Sequence, residues 1–321
     1  MKLLSLCTGY GGLDLAVEAF FDCELVACAE IDKYAGLAID KHFKVPNLGD
    51  IKLIDWTSLG DIDIMTAGYP CQPFSHAGNR KGTKDERHIW PYIKDGIGIL
   101  RPSLVVLENV RGHLSLGFKE VLQDLASIGY DAIWTVVRAS DVGAPHQRAR
   151  LFTIAYPNIT GSQRWNKALL STRKTDKRYS DKGTSSDPNS DACKESRRID
   201  RSIHQKASEI KNWTDRNEHG SCCQLTTDAD RHEQQGNRQV QGLGRRFDTR
   251  YQMRMRRSPN PLDLNGKLNE VFVEYMMGLP VGWVTDLPIS RAQKLKMLGN
   301  GVVPQQAFYA LEKLWAIKEA F

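Results

Sequence analysis

No apolar run in this sequence approaches the roughly 20 residues that a membrane span requires. The opening, MKLLSLCTGYGG, lacks the small-residue cleavage site of a secretory signal, because its short apolar run ends at glycines. Cysteine is sparse. The seven are widely spaced and form no CxxC pair, and the adjacent Cys222 and Cys223 match neither a metal site nor a disulfide framework. A reduced, cytoplasmic protein without a metal is therefore expected. A GK[ST] phosphate cradle is also missing, which argues against a nucleoside triphosphate.

Excess charge is absent from most of the chain. Residues 156–269 hold 23 Lys and Arg against 14 Asp and Glu, a net of +9. The remainder holds 21 basic and 24 acidic residues, a net of −3. One segment thus carries all the excess positive charge, which fits either a polyanion partner or a solvated basic insertion.

What is present is a regular alternation over residues 1–156. Short apolar runs, LLSLC (3–7), ELVACAEID (24–32), IDIMTAG (62–68) and SLVVLENV (103–110), predict strands. Helical spacing falls between them, in HIWPYIKDGIGILR, and after them, in FKEVLQDLASIG. DAIWTVVRAS and RLFTIAY add two late strands, read as a hairpin. This predicts an α/β fold, a mostly parallel sheet covered by helices on both faces. The pattern stops near Pro157 and resumes at LNEVFVEYMMGLPVGW (268–283), an amphipathic helix followed by a turn. A loop and a long C-terminal helix are expected over the last thirty residues or so. The polar stretch between is poor in apolar residues, so much of it is expected to be irregular when alone.

Individual motifs each leave two readings open. Gly9, Gly11 and Gly12 lie where the first strand meets a helix, and Glu30 ends the second strand. Together they suit a nucleoside-bearing ligand whose ribose hydroxyls bind the acid; a tight turn beside a surface acid is the plainer alternative. Asp50 is either an acceptor for an adenine amino group or a helix cap. Cys71, between Pro70 and Pro73 where the third strand ends, is a nucleophile candidate or a structural thiol. Glu108, at the end of the fourth strand, is a buried proton holder or a turn cap. Arg148 and Arg150 are placed on one face of a strand, two residues apart, to hold that carboxylate and a substrate oxygen, or else they form a basic edge.

The order of these motifs resembles the C5-cytosine DNA methyltransferases. TGYGG, CAEIDKYA, GDI, GYPCQPFS, LENV, HQRARLF, FVEYMMGLPVGW and LGNGVVP occur in the family's order across nearly the whole chain. The resemblance implies methyl transfer from S-adenosyl-L-methionine to carbon 5 of a flipped-out cytosine in double-stranded DNA. Cys71 is then the attacker of carbon 6 and Glu108 the group that holds protonated N3. Arg148 and Arg150 orient that glutamate and bind the cytosine O2, and Gln72 and Ser75 support the base or touch the DNA backbone. The cofactor pocket takes Cys7, Gly9, Gly11, Gly12, Glu30, Ile31, Asp50, Ile51, Pro70, Asn300 and Val302.

By the same resemblance a Rossmann-like catalytic domain spans 1–156 and 286–321, with the C-terminal helix returning beside the first strand. Residues 157–285 form a smaller target-recognition region, expected to be partly disordered without DNA. The protein is expected to act as a monomer in the cytoplasm of a bacterial or phage-infected cell. A cognate restriction enzyme is not inferable from one chain. Cys7 stands where the family usually has phenylalanine, His146 where it has glutamine, and Gly301 where it has serine or alanine. An RNA (tRNA) cytosine methyltransferase with the same machinery, and a DNA-binding relative with weak catalysis, remain alternatives.

Overall fold

The computed structural model describes residues 1–70, 89–158 and 258–319. Its six strands are β1 (Lys2–Leu6), β2 (Glu24–Ala29), β3 (Ile64–Ala67), β4 (Leu104–Val110), β5 (Tyr130–Val137) and β6 (Arg150–Pro157). They form one sheet in the order β2-β1-β3-β4-β6-β5. The first four pair in parallel, whereas β6 runs antiparallel to both β4 and β5. The mostly parallel sheet and the late hairpin expected from sequence are both present. The chain leaves β1 toward β2 on one side and returns to β3 on the other. That reversal opens a crevice at the strands' carboxyl ends.

Strand alternation divides the core. Leu3, Ile64, Val106 and Ile154 point to one face, against Val17 and Phe20 of α1 (Gly12–Phe20) and Leu311 and Trp315 of the C-terminal helix. Leu4, Met65, Val105 and Leu107 point to the other, against Ile93 and Ile97 of α3 (Trp90–Leu100) and Val121 and Leu125 of α4 (Phe118–Ser127). Burial on both faces explains why β3 and the first four residues of β4 are mostly apolar, Thr66 being the exception. Helix α2 (Lys33–His42) starts at Asp32, whose side chain accepts from Tyr34 N at 2.8 Å, and carries Lys41 and His42 in its last turn. Both features suit the helix dipole and its unpaired end groups.

Beyond residue 258 the helices are α5 (Glu270–Met276), α6 (Arg291–Asn300) and α7 (Pro304–Glu319). The loop expected over RAQKLKMLGN is in fact α6. Ser290 and Gln293 close a reciprocal capping box at its start, which outweighs its weak apolar period. Helix α7 does return to the N-terminal half. It packs on α1, β5 and β6, and Gln306 donates to the carbonyls of Val137 and Arg148, each at 2.8 Å. Met277, Leu279, Trp283 and Val284 share a buried cluster with Tyr10, Leu15, Ala35 and Ala38. The expectations for residues 159–257 lie outside the described residues. No described helix is long and apolar enough to cross a membrane.

Candidate active site

A cavity of about 430 Å³ opens at the carboxyl ends of β1, β3 and β4. Its size lies within the range of small-molecule sites. The β1–α1 turn and the α6–α7 loop, in which Tyr10 and Val302 are 292 residues apart in sequence, form opposite parts of its wall. Cys7, Gly9, Glu30 and Pro70 line it, and so do Asn300 and Val302 from the far end of the chain. Glu108 and Arg150 line it as well.

Several expected residues lie elsewhere. Ile31 is 74% exposed and Ile51 is buried in the core under the sheet. Asp50 caps the short helix Ile51–Leu53 by accepting from Lys52 N at 3.0 Å. Gly11 and Gly12 serve packing. A Cβ on Gly12 would come within 2.2 Å of the Val302 carbonyl oxygen, and one on Gly11 within 2.3 Å of the Phe43 ring. Cys71, Gln72 and Ser75 lie outside the described residues.

Glu30 is held by two backbone donors. Its Oε2 accepts from Gly9 N and its Oε1 from Asp32 N, each at 2.8 Å. Each carboxylate oxygen keeps a further lone pair, so the group can still accept from a diol. Gly9 adopts φ 58°, and no atom lies within 4 Å of where its Cβ would be, which leaves its backbone open to a ligand. Asp14, Glu30, Asp32 and Glu108 bring four carboxylates to the walls, beside the cations Arg150 and Lys296. This donor and acceptor set suits a ligand that carries a ribose and a positive charge.

Glu108 is 7% exposed, and its Oε1 lies 3.1 Å from Arg150 Nε. Burial pushes its carboxyl up to about 7, despite the opposing pull of Arg150 and then Arg148. The arginines themselves diverge, which corrects the placement of both on one strand. Strand β6 begins at Arg150, whereas Arg148 precedes it with φ 34°. Period-two facing therefore does not apply to the pair. Arg148 Nη2 instead donates to the carbonyls of Gly299 at 2.8 Å and Gly301 at 2.6 Å, at the C-terminal end of α6. Both ring nitrogens of His146 are buried without a partner among the described residues, and burial followed by Arg148 and Arg150 lowers its pKa.

Sequence reasoning missed the supports of this site. Asp14, in the first turn of α1, accepts from Ser5 Oγ at 2.8 Å and Thr66 Oγ1 at 2.5 Å. Burial raises its carboxyl to about 6. An acid inside the apolar face of α1 was the available signal. Asn109 Nδ2 donates to Tyr69 O at 3.1 Å, and Tyr69 Oη pairs with His113 Nε2 at 3.0 Å. His113 Nδ1 lies 2.8 Å from the Leu116 carbonyl, so it is the protonated nitrogen and Nε2 accepts from the phenol. These contacts fix Tyr69, two residues before Cys71 in sequence.

Fold and site together define an α/β protein with a cleft at the carboxyl ends of its parallel strands and a buried carboxyl in the cleft wall. The chain belongs to the C-5 cytosine-specific DNA methylase family, whose model matches residues 1–316. It is 33% identical over 163 residues to the type II methyltransferase M.BsuFI of Bacillus subtilis, covering 49% of this chain and 39% of that one. It is 36% identical over 164 residues to the type II methyltransferase M.NlaX of Neisseria lactamica, covering 49% and 52%. The matches span about half or less of these relatives' lengths. Among solved structures, the S. pombe Dnmt2 methyltransferase superposes with a TM-score of 0.57 at 17% identity, covering 98% of this chain and 99% of that one. That likeness bears on the fold.

Proposed function

We propose that this protein is a DNA (cytosine-5-)-methyltransferase. It transfers a methyl group from S-adenosylmethionine to a cytosine flipped out of double-stranded DNA. The observation that carries the reading is the buried Glu108 carboxyl, raised to about 7 and paired with Arg150 in the wall of the cavity. A carboxyl poised near neutrality holds or releases a proton on demand. A structural carboxylate at a surface turn would have no such poise.

Carbon 5 of cytosine is a poor nucleophile while the ring is aromatic. Attack by the Cys71 thiolate on carbon 6 removes that aromaticity and makes carbon 5 electron-rich. Glu108 holds the proton on N3, which drains the charge that the attack pushes into the ring. Arg150 orients Glu108 and presents its guanidinium to the base. Bound S-adenosylmethionine supplies the electrophilic methyl group. Glu30 takes the ribose hydroxyls, and Gly9, Cys7, Pro70, Asn300 and Val302 close around the rest. Loss of the carbon 5 proton then releases Cys71. Flipping the base costs a few kcal/mol, which contacts in the pocket offset.

The segment between 157 and 285, with most of the excess positive charge, serves target recognition. Its Lys and Arg neutralise phosphates and its Arg and Gln suit base edges in the major groove. Met277, Leu279, Trp283 and Val284 share a buried cluster with Leu15 of α1 and Ala35 and Ala38 of α2, which supports counting the last part of that stretch with the catalytic body. The protein works as a monomer in the cytoplasm.

The test is incubation of the purified protein with labelled S-adenosylmethionine and genomic DNA, followed by sequencing for 5-methylcytosine. Label in tRNA and none in DNA would replace this reading with the RNA one. Undiminished activity in Cys71→Ser would overturn the covalent mechanism.

A further inference from the structure

The cavity's two glycine-rich walls are joined by one buried side chain. Tyr10 is fully buried, and its phenol donates to the Val302 carbonyl at 2.7 Å. Its ring lies so close to Gly301 that a Cβ there would approach within 1.9 Å. Tyr10 thus locks the β1–α1 turn, which presents Gly9, to the α6–α7 loop, which presents Asn300 and Val302. The carbonyl of Tyr10 accepts from the indole Nε1 of Trp283 at 2.9 Å.

Trp283 is itself fixed from three directions. Its ring stacks on His42 with centroids 3.8 Å apart and planes 6° from parallel. Its carbonyl lies 2.7 Å from His42 Nε2. The turn that carries it is held by the buried carboxylate of Glu274, which accepts from the backbone N–H groups of Gly282, Val284 and Thr285 and from Thr285 Oγ1, at 2.6–2.9 Å.

We propose that Trp283 is a positioning residue for the cofactor pocket, its indole N–H setting the β1–α1 turn through Tyr10. This rests on the reading of the cavity as the S-adenosylmethionine site. Neither Trp283 nor Tyr10 lines the cavity. Their effect on the ligand passes through the turn's backbone, where displacement misplaces Gly9 N–H and with it Glu30.

Trp283→Phe keeps an aromatic ring for His42 and removes the donor. Tyr10→Phe keeps the ring and cuts the link to Val302. Binding of S-adenosylmethionine and S-adenosylhomocysteine is measured by calorimetry, binding of a duplex oligonucleotide without cofactor by anisotropy, and folding by thermal melting. Each variant is expected to melt cooperatively, to bind both cofactor forms about tenfold more weakly, as loss of one buried hydrogen bond predicts, and to keep DNA affinity within about twofold. Unchanged cofactor affinity in both variants, with a wild-type protein that binds, overturns the proposal alone. Equal losses of cofactor and DNA affinity overturn it in favour of a general structural role. A wild-type protein that binds neither cofactor form overturns both this proposal and the reading of the pocket.

Discussion

Arg150 Nε stands 3.1 Å from Glu108 Oε1, where β6 runs antiparallel to β4. The pair is largely buried, yet the carboxyl is raised and not lowered. Desolvation therefore outweighs the ion pair at this point of the sheet. The acid form of Glu108 is the one the proposed chemistry uses. In the free enzyme, the alkaline limb of kcat/KM is expected to fall as pH rises through about 7 on the Glu108 ionisation, set against the rise that forming the Cys71 thiolate brings. The same alkaline limb in Glu108→Gln would remove Glu108 from that role. Glu108→Gln is expected to lower kcat by roughly 10²–10⁴.

The same carboxyl makes stability depend on pH in a defined direction. Between about 4.5 and 7 the folded protein keeps a proton that the unfolded chain has lost. Stability contributed by this group is therefore present below the unfolded value and falls as pH rises through the folded one. Relative to Glu108→Gln, which has no such ionisation, the wild type should lose up to roughly 3 kcal/mol between pH 4 and pH 8. Urea melts of both proteins at the two pH values measure this. A difference that stays constant would contradict the raised carboxyl.

Glu274 carries more backbone donors than any neutral side chain can satisfy. Glutamine offers one oxygen and turns an NH₂ toward N–H groups. Glu274→Gln is expected to cost about 2–4 kcal/mol, since charged hydrogen bonds are lost in a buried place. Chemical denaturation reads it, and a cost below 1 kcal/mol would show that the turn re-forms without the carboxylate.

Two glycine-to-alanine changes separate packing from helix propensity. Gly12→Ala forces a Cβ onto the Val302 carbonyl, a backbone atom that cannot move aside cheaply, and should lower the melting temperature. Gly98→Ala in α3 meets nothing within 4 Å and should raise stability by up to about 1 kcal/mol. Equal effects at both sites would argue against the close approach of the two loops.

Cys7 lines the cavity, but burial and then Glu30 push its thiol up to about 12. The thiolate is the reactive form. Peptide mapping after iodoacetamide at pH 8 should find Cys7 unmodified in the folded protein and alkylated in urea. Rapid labelling of folded protein at Cys7 would contradict the burial.

Sequence carried the sheet well because its middle strands are buried on both faces and read as short, mostly apolar runs. It placed Glu30 and Glu108 beside the crevice because Glu30 follows β2 and Glu108 lies near the carboxyl end of β4. It failed at α6, where RAQKLKMLGN has little apolar rhythm and only the Ser290–Gln293 capping box marks a helix. It also failed at Arg148. A positive φ just before β6 breaks the two-residue repeat that would have faced it with Arg150. The bonds from Tyr10 to Val302 and from Trp283 to Tyr10 bridge 292 and 273 residues, and no local pattern specifies such partners.

One wall of the pocket is made by residues 5–14 and another by residues 293–302. During translation the first wall therefore emerges long before the second. A nascent chain that has completed all of β1–β6 still has a half-built cleft, with Phe20 and Phe21 lacking the Trp315 ring they pack against. Closure of the cleft therefore waits until residues 293–302 have been made. A stop ahead of α6 would leave the cleft without that wall.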